Sequence, residues 1–390
     1  MGFIANMGKF LSGIVRRNVF FSISRGEFLN SGSLRDNEIV GAVANLIATN
    51  VAKLSPQVVR ESANGLEVKN DNLAKLIALR PNAENSTFDF LYRMGSELVF
   101  SGNSFSIIFY NDDFTAVTAI QPVTVSSHRI FEHNGIIFFE FVWSYDGKKY
   151  IVPYNSVIHL KARYNKKRFL GTPPDEELKN STEMLNTTYG GIKNAVLHSA
   201  GLRGYLKFNN LADEEDIKAK VKEFQESYLS ASNEGGIAGI DNSYEFNEIT
   251  QKPYAIPTQS ISFFRDNIYR YYCVNEKALT STMSESEWVC FYENVIEPIA
   301  IQLSQEFTYK LFSENERNHG NKVIFTTDRL QYATLESRKN TAGEMFDRGA
   351  ITINEYRKFM FLPPIDDGDI RLISLNYVKA DEQSEYQLNK

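Results

Sequence analysis

The hydrophobic pattern of this 390-residue chain changes its period near Asn103, and this change restricts the possible folds more than any other feature. Before it, apolar residues recur at helical spacing in residues 36–54 and 86–98. After it, short alternating runs are typical of strands, and two dipeptides between them, Asn134-Gly135 and Asp146-Gly147, favour tight hairpins. Helices followed by a run of strands predict an α+β fold, with a helix-plus-meander unit in this part of the chain.

The middle of the chain predicts two helices that flank an α/β insert. Residues 178–200 and 260–274 both have helical periodicity. The insert combines a helix that begins at Asp213 with predicted strands at 204–208, 235–240 and 244–249. An insert between two antiparallel helices projects from one end of the pair.

A long helix is predicted after a polar, loop-like stretch at residues 275–283. Ser284 and Glu287 have the spacing of a capping box at its start. Pro298 lies in its middle, and an internal proline removes a backbone hydrogen bond at a cost of ~3 kcal/mol, so we expect a kink there. The C-terminal part then predicts one strand and two helices, at residues 322–326, 335–348 and 354–361.

Composition excludes some classes of function. The net charge of −6 argues against a protein that grips DNA by its phosphates, but not against one that lets DNA slide past. Aromatic residues make up 13% of the chain, which fits either large surfaces between domains or subunits or an aromatic core.

Cys273 and Cys290 match no metal motif and no disulfide framework, so a reduced, intracellular setting is the default. Residues 1–21 fit either a short membrane-surface helix or an arm that becomes ordered against a neighbour, and no apolar run is long enough to span a bilayer.

Motifs for catalysis are missing from the sequence. The five histidines are scattered, and none has an acidic or cysteine partner at ligand spacing. There is no G-x-S-x-G turn and no G-x-x-x-x-G-K-[ST] loop, so we expect neither an enzyme nor a bound metal or cofactor, and no ATP hydrolysis. Two alternatives stay open: a hydrolytic enzyme with an unrecognised active site, which a cleft with perturbed pKa values would favour, and a monomeric adaptor.

The most distinctive motif lies at residues 349–369, where the chain reads GAITINEYR and then FLPPIDDGD. Thr352 and Glu355 form a capping-box pattern, and Pro363 and Pro364 prevent the helix from continuing. The segment resembles the GxITxNExR…LPPIxxGD segment of tailed-bacteriophage portal proteins.

Weaker matches occur in the same order, and together the resemblance covers about residues 36–379. They are Arg80-Pro81-Asn82 with residues 88–91, Gly102-Asn103-Ser104-Phe105, Gly171-Thr172-Pro173, residues 223–228 with Gly235-Gly236-Ile237, residues 259–270, and Ile296-Glu297-Pro298. The chain departs from the family in two places. After Val274, where the family often has proline, it has Asn275, and after Leu279, where a glycine usually follows shortly, it has Thr280. At the end of the last motif it has Asp367-Gly368-Asp369 in place of a double glycine.

The resemblance implies a ring, usually dodecameric, whose subunit has a wing, a stem, a clip and a crown. In this numbering the implied segments are an N-terminal arm (1–29), the wing (30–174), the first stem helix (175–201), the clip (202–257), the second stem helix (258–275), a channel loop (276–283), the long kinked helix with a return to the wing (284–330), and the crown with a C-terminal tail (331–390).

The implied function is that of the structural portal of a tailed phage or prophage. Such a ring lies at the capsid vertex of the virion, after assembly in the host cytoplasm, and forms the channel through which double-stranded DNA is packaged and ejected without sequence specificity. The implied partners are other copies of the chain, the large subunit of the terminase motor, the major capsid or scaffold protein, and a head-tail adaptor, with no membrane involved.

Two sets of residues are candidates for contact with DNA. The channel loop offers polar groups that can touch a DNA backbone without reading bases, namely Lys277, Thr280, Ser281 and Thr282. Its alternative interpretation is an ordinary connector between helices. The one basic cluster could contact DNA phosphates or a partner, or could be a solvated loop, and consists of Lys161, Arg163, Lys166, Lys167 and Arg168.

Overall fold

The computed structural model describes residues 21–22, 27–28, 32–62, 65–163, 169–199, 204–208, 214–228, 244–248, 258–326 and 335–372. The chain divides into two compact units, one formed by Met1–Glu176 with Tyr269–Lys390 and the other by Glu177–Ile268. Throughout the described ranges, helices are combined with small antiparallel sheets, which confirms the predicted α+β class.

The strands, in chain order, are β1 (Phe21–Ser22), β2 (Glu27–Phe28), β3 (Ser55–Ser62), β4 (Gly65–Val68), β5 (Asn103–Tyr110), β6 (Val117–Val123), β7 (Val125–His133), β8 (Ile136–Trp143), β9 (Lys149–Pro153), β10 (Val157–Lys161), β11 (Gly204–Phe208), β12 (Tyr244–Glu248) and β13 (Asn321–Thr326). The helices are α1 (Gly32–Arg35), α2 (Glu38–Ala52), α3 (Asn72–Leu79), α4 (Thr87–Ser101), α5 (Pro174–Ser199), α6 (Glu214–Tyr228), α7 (Thr258–Tyr271), α8 (Glu276–Leu279), α9 (Glu285–Phe291), α10 (Glu297–Leu311), α11 (Glu314–Asn318), α12 (Leu335–Asp347) and α13 (Ile353–Phe359).

Helices α2 and α4 pack against each other and begin at side-chain caps. The Asn37 side chain accepts hydrogen bonds from the first backbone N–H groups of α2, and Ser86 forms a capping box with Asp89 at the start of α4. Gly95 of α4 allows a close approach, because a Cβ atom there would lie 3.1 Å from the Ala48 Cα of α2. The helices of this layer therefore begin where the sequence predicts.

The strands that the sequence predicts as one meander divide between two sheets. One sheet has the order β10-β5-β6, while β7, β8 and β9 form the other, to which β1 and β2 add short pairings with β7. Only Thr124 separates β6 from β7, so the chain changes sheet at that point. The two sheets share one apolar core, in which the rings of Phe105 and Phe139 stack at 4.6 Å and those of Phe139 and Phe141 at 5.1 Å.

A third sheet, β13-β3-β4, joins segments that are far apart in the sequence, since β13 pairs with β3 across more than 250 residues. Helix α10 packs on β13 and also contacts β10. Phe307 of α10 makes edge-to-face contacts with Phe90 of α4, at 6.3 Å, and with Phe325 of β13, at 4.9 Å. The long helix is thereby fixed to both the helical layer and the sheets.

The long helix after Ser284 is interrupted by a π-helical turn, Tyr292–Ile296, rather than by a simple proline kink. The Glu297 N–H donates to the Tyr292 carbonyl, five residues back. Pro298 follows directly, in the first turn of α10. The interruption is where the sequence predicts it, but the extra residue in the turn was not expected.

Two of the short motifs that carry the family resemblance meet in space. Gly102 has a φ of 69°, and a Cβ atom there would lie 2.2 Å from the Thr172 carbonyl oxygen. The neighbouring Asn103 is buried, and its Oδ1 accepts a hydrogen bond from the Gly171 N–H at 2.8 Å. These contacts fix the start of α5, which begins at Pro174.

The second unit contains most of α5 and α7 together with the predicted insert. Strands β11 and β12 pair antiparallel, with Gly204 opposite Glu248, and α6 lies between them in the sequence. These elements agree with the predicted strands at 204–208 and 244–249 and with the helix predicted from Asp213. The predicted strand at 235–240 lies outside the described residues.

Candidate nucleic-acid interface

The candidate channel loop follows α7 and has a fixed base. The chain turns at Cys273, whose φ is 55°, and the Val274 N–H donates to the Tyr269 carbonyl at 2.9 Å. The Asn275 side chain then accepts from the Ala278 N–H at 2.9 Å and caps the single helical turn α8. Because α8 contacts α2 and Ala278 is buried, the stretch predicted as an irregular loop begins with an anchored helical turn. The Asn275 cap could have been found from the sequence, since asparagine favours this position.

The one cation of the loop, Lys277, is paired. Its Nζ lies 2.5 Å from the Glu287 carboxylate of α9, and Glu287 also completes the capping box with Ser284. These hydrogen bonds, first that from Lys277, lower the pKa of Glu287 to about 2. The loop thus presents little net positive charge to a partner.

The other candidate residues of the loop are exposed and uncharged. The Thr280 hydroxyl lies 3.0 Å from the Glu276 carbonyl and 2.9 Å from the Thr282 hydroxyl. Ser281, between them, has a φ of 57°. Hydroxyl groups in this arrangement can make hydrogen bonds to phosphate oxygens while adding no electrostatic attraction to DNA.

The basic cluster is described only in part, because Lys166, Lys167 and Arg168 lie outside the described residues. Lys161 ends β10, where its backbone makes two hydrogen bonds with the Gln302 side chain. Arg163 donates to the Tyr271 carbonyl at 2.6 Å, and its guanidinium lies 3.8 Å from the centre of the Tyr271 ring. Arg163 therefore holds the end of α7, and no signal for this contact is present in the sequence.

Two cavities lie on either side of the turn that leads into the loop. The first, of about 310 Å³, is lined by Lys161, Arg163 and Tyr271, among others. The second, of about 380 Å³, lies beneath α8, and both cavities include Cys273 and Asn294 in their walls. The structure thus places two of the predicted cations next to the start of the candidate channel loop.

No catalytic arrangement occupies these cavities. Tyr272 lines the first, but its hydroxyl donates to the Val99 carbonyl at 3.1 Å, and burial raises its pKa. His159 is fully buried between the Tyr154 hydroxyl, at 2.8 Å, and Asn103, at 3.0 Å, and burial lowers its pKa well below the ordinary value.

Within the described ranges there is no group of three or more His, Cys, Asp or Glu side chains that could hold a metal ion. No helix in those ranges is both long enough and apolar enough to cross a lipid bilayer.

The profile of the family described as "Phage portal protein" matches residues 38–360, which is most of the chain. The chain belongs to the phage portal protein family. This match gives no support to the alternative of a hydrolytic enzyme.

Similar proteins agree with this assignment. A "Probable portal protein" of Lactococcus phage p2 is 27% identical over 219 residues, which are 54% of this chain and 58% of that protein. The chain therefore matches little more than half the length of that relative. Among solved structures, an HK97 family phage portal protein from Corynebacterium diphtheriae matches with a TM-score of 0.52 at 12% identity, covering 81% of this chain and 99% of that one.

A second similar structure is a neck that was computed with ring symmetry. The neck of the native gene transfer agent particle, computed with C12 symmetry, matches with a TM-score of 0.58 at 13% identity, covering 85% of this chain and 92% of that one. At such identities the likeness shows a shared fold, and it agrees with the α+β fold of portal type that the family resemblance implied.

Proposed function

We propose that this portal protein assembles into a closed ring of twelve subunits, the number in the similar C12 neck, and that double-stranded DNA passes through it during packaging and ejection. The observation that carries the proposal is the family match over residues 38–360. The likeness to the C12 neck of the gene transfer agent supports the ring. Rings of this kind arise when one surface of a subunit binds a different surface of the next copy and the rotation closes.

The loop at residues 276–283 is proposed to face the channel. Exposed hydroxyl groups at Thr280, Ser281 and Thr282 and the pairing of Lys277 with Glu287 support this role, because DNA that must move needs contacts that are weak and independent of sequence.

The basic cluster has a separate proposed role. Lys161 and Arg163 lie beside the cavity at the start of the loop, where they can contact a phosphate or an acidic partner. Lys166, Lys167 and Arg168 are included in this proposal from the sequence alone. The remaining proposed partners follow from the family resemblance: the terminase large subunit, the major capsid or scaffold protein, and a head-tail adaptor, met in the host cytoplasm during assembly.

The mass of the purified protein in solution, with negative-stain images, tests the ring. We expect a closed ring of about twelve subunits with a central hole wide enough for duplex DNA. A single species of one or two subunits at all concentrations would contradict the proposal.

A charge-insertion variant tests the channel loop. Replacing Thr280 by lysine should strengthen the binding of duplex DNA by the ring and make that binding fall more steeply with salt, because each neutralised phosphate adds ~0.9 to the slope of log affinity against log salt. Leu79→Lys, at a site that is 76% exposed on α3, is the matched control. Equal DNA binding by the two lysine variants would place the loop away from the channel.

A further inference from the structure

The chain has two cysteines, and both border the same cavity. Cys273 lies in the turn after α7, and Cys290 lies on α9. Both residues are exposed, and neither forms a disulfide. The cavity of about 380 Å³ beneath α8 has both of them in its wall. A single small reagent in this cavity can therefore reach two thiols that are 17 residues apart in the sequence.

Hydrogen bonds hold the backbone at both cysteines. The Cys273 N–H donates to the Arg270 carbonyl at 3.2 Å, in the last turn of α7. On the other side of the cavity, the Asn294 side chain donates to the Cys290 carbonyl at 2.7 Å. Asn294 is itself part of the cavity wall, one turn after Cys290. Each thiol is thus attached to a backbone segment that is fixed beside the cavity.

One side of α9 and of the π-helical turn faces the cavity. The wall residues from these elements recur at spacings of three and four, and they are Ser286, Glu287, Cys290, Phe291 and Asn294. Val289, which is 45% exposed, lies about 100° around the helix from Cys290 and outside this wall. The position of Cys290 on the helix therefore brings its thiol to the cavity, and position 289 offers a control.

We propose that Cys273 and Cys290 form a dithiol site, which a small-molecule disulfide such as oxidised glutathione converts into a disulfide within one chain. One thiolate of the pair attacks a sulfur atom of the reagent, and the first glutathione leaves as a thiol. The second thiol of the pair then attacks the mixed disulfide, and the second glutathione leaves. The two cysteines lose two electrons and two protons in total, and the reagent gains both.

The cavity makes this bond possible and defines what it ties together. A disulfide requires two Cα atoms within about 7 Å of each other. Both side chains border one open space, so their sulfur atoms can meet there without displacing a buried side chain. The bond would close a ring from residue 273 to residue 290, which contains α8 and the whole candidate channel loop. Such a ring excludes conformations in which α8 separates from α9.

The environments of a virion protein give this pair a use. The cytoplasm keeps thiols reduced, whereas disulfides persist outside the cell. The loop is then free to move during assembly and becomes tethered in the released particle. This consequence rests on the proposed function, but the formation of the disulfide does not.

Oxidised glutathione, added to the reduced full-length protein, tests the site by mass spectrometry. We expect the wild type to lose two hydrogen atoms in mass, to retain no glutathione, and to give a peptide that links Cys273 to Cys290. The single variant Cys290→Ser should instead keep one glutathione on Cys273. The matched control is the double variant Cys290→Ser, Val289→Cys, which keeps two exposed thiols but moves one out of the cavity wall. It should carry glutathione adducts and give no linked peptide.

Tryptic cleavage after Lys277, in α8, measures the tether. Oxidation of the wild type should slow this cleavage by about tenfold or more, because the closed ring opposes the local opening that a protease needs. Dithiothreitol should restore the original rate. The rate for Cys290→Ser should be the same before and after treatment with oxidised glutathione.

Three outcomes would overturn the inference. Glutathione adducts on both cysteines of the wild type, with no linked peptide, would show that the thiols cannot meet. A linked peptide confined to disulfide dimers on a non-reducing gel would assign the thiols to a contact between copies. A linked peptide within one chain, with unchanged cleavage after Lys277, would refute the tether.

The proposed function fails separately from this site. A protein that forms the linked peptide and the tether but never assembles into rings would establish the dithiol site and refute the proposed ring.

Discussion

The stability of this portal protein should rise between pH 7 and pH 9.5 because of one buried lysine. Lys310 of α10 has a side chain that is 3% exposed. Its Nζ donates to the Tyr154 carbonyl at 2.8 Å, lies 4.2 Å from the centre of the Tyr154 ring and is 4.0 Å from the Glu306 carboxylate. Burial nevertheless dominates and lowers the pKa of Lys310 from 10.5 to about 8, since the carboxylate only partly offsets the loss of water and the charge of Lys161 adds to the shift.

The sign of the effect follows from proton binding. In the unfolded chain the pKa of Lys310 returns to its ordinary value, so between about pH 8 and 10.5 the unfolded chain binds more protons than the folded protein. Stability therefore rises with pH across this window. Worked through for one group with these two pKa values, the free energy of unfolding gains about 2 kcal/mol between pH 7 and 9.5.

The variant Lys310→Met removes the titrating group and keeps the length of the side chain. Urea unfolding at one fixed protein concentration gives the free energy of unfolding of both proteins at pH 7 and at pH 9.5. The effect is the change between the two pH values in the wild type minus the same change in the variant. Lys322→Met, which removes a lysine from the exposed ion pair with Glu61, is the matched control. If the wild type and Lys310→Met change in parallel over this pH range, the assignment of a lowered pKa to Lys310 is refuted.

Three further predictions concern backbone positions and caps, all measured as free energies of unfolding in urea. Gly102→Ala should destabilise the protein by about 2 kcal/mol or more, because the φ of 69° disfavours alanine and the new Cβ would meet the Thr172 carbonyl; a loss below 0.5 kcal/mol would contradict this. Asn103→Ala should cost about 2–4 kcal/mol, because it leaves the Gly171 N–H and the His159 ring nitrogen without this acceptor, and a neutral result would mean that water replaces it. Thr352→Ala removes the cap of α13 and should cost about 1 kcal/mol, whereas Thr352→Ser should retain most of that stability.

Local signals in the sequence predicted most of the helix starts and strands. The capping boxes predicted at Ser284 and Thr352 are both formed, since each depends on residues only three positions apart. The runs predicted after Asn103 also became strands: β9 buries every second residue, as alternation predicts, whereas β5 is buried on both faces at residues 103–108.

Which strands and helices pack against one another was harder to predict. The change of sheet at Thr124 and the pairing of β13 with β3 depend on which apolar faces meet in three dimensions, and a single sequence carries no signal for that. In the candidate site, the polar character of the loop could be read from its residues, but the pairing of Lys277 with Glu287 and the stacking of Arg163 on Tyr271 required the structure. The channel role of the loop stays a prediction.

The π-helical turn at Tyr292–Ile296 determines how α9 is rotated about the helix axis relative to α10. Each residue of an α-helix advances the chain by about 100°, so the extra residue in this turn rotates α9 by that angle relative to an uninterrupted helix. Deleting one residue here would restore a regular helix and swing the face that carries Glu287 by more than a quarter of a circle. The side of α9 that presents Glu287 to Lys277 of the candidate channel loop is therefore set by one extra residue that lies outside the loop.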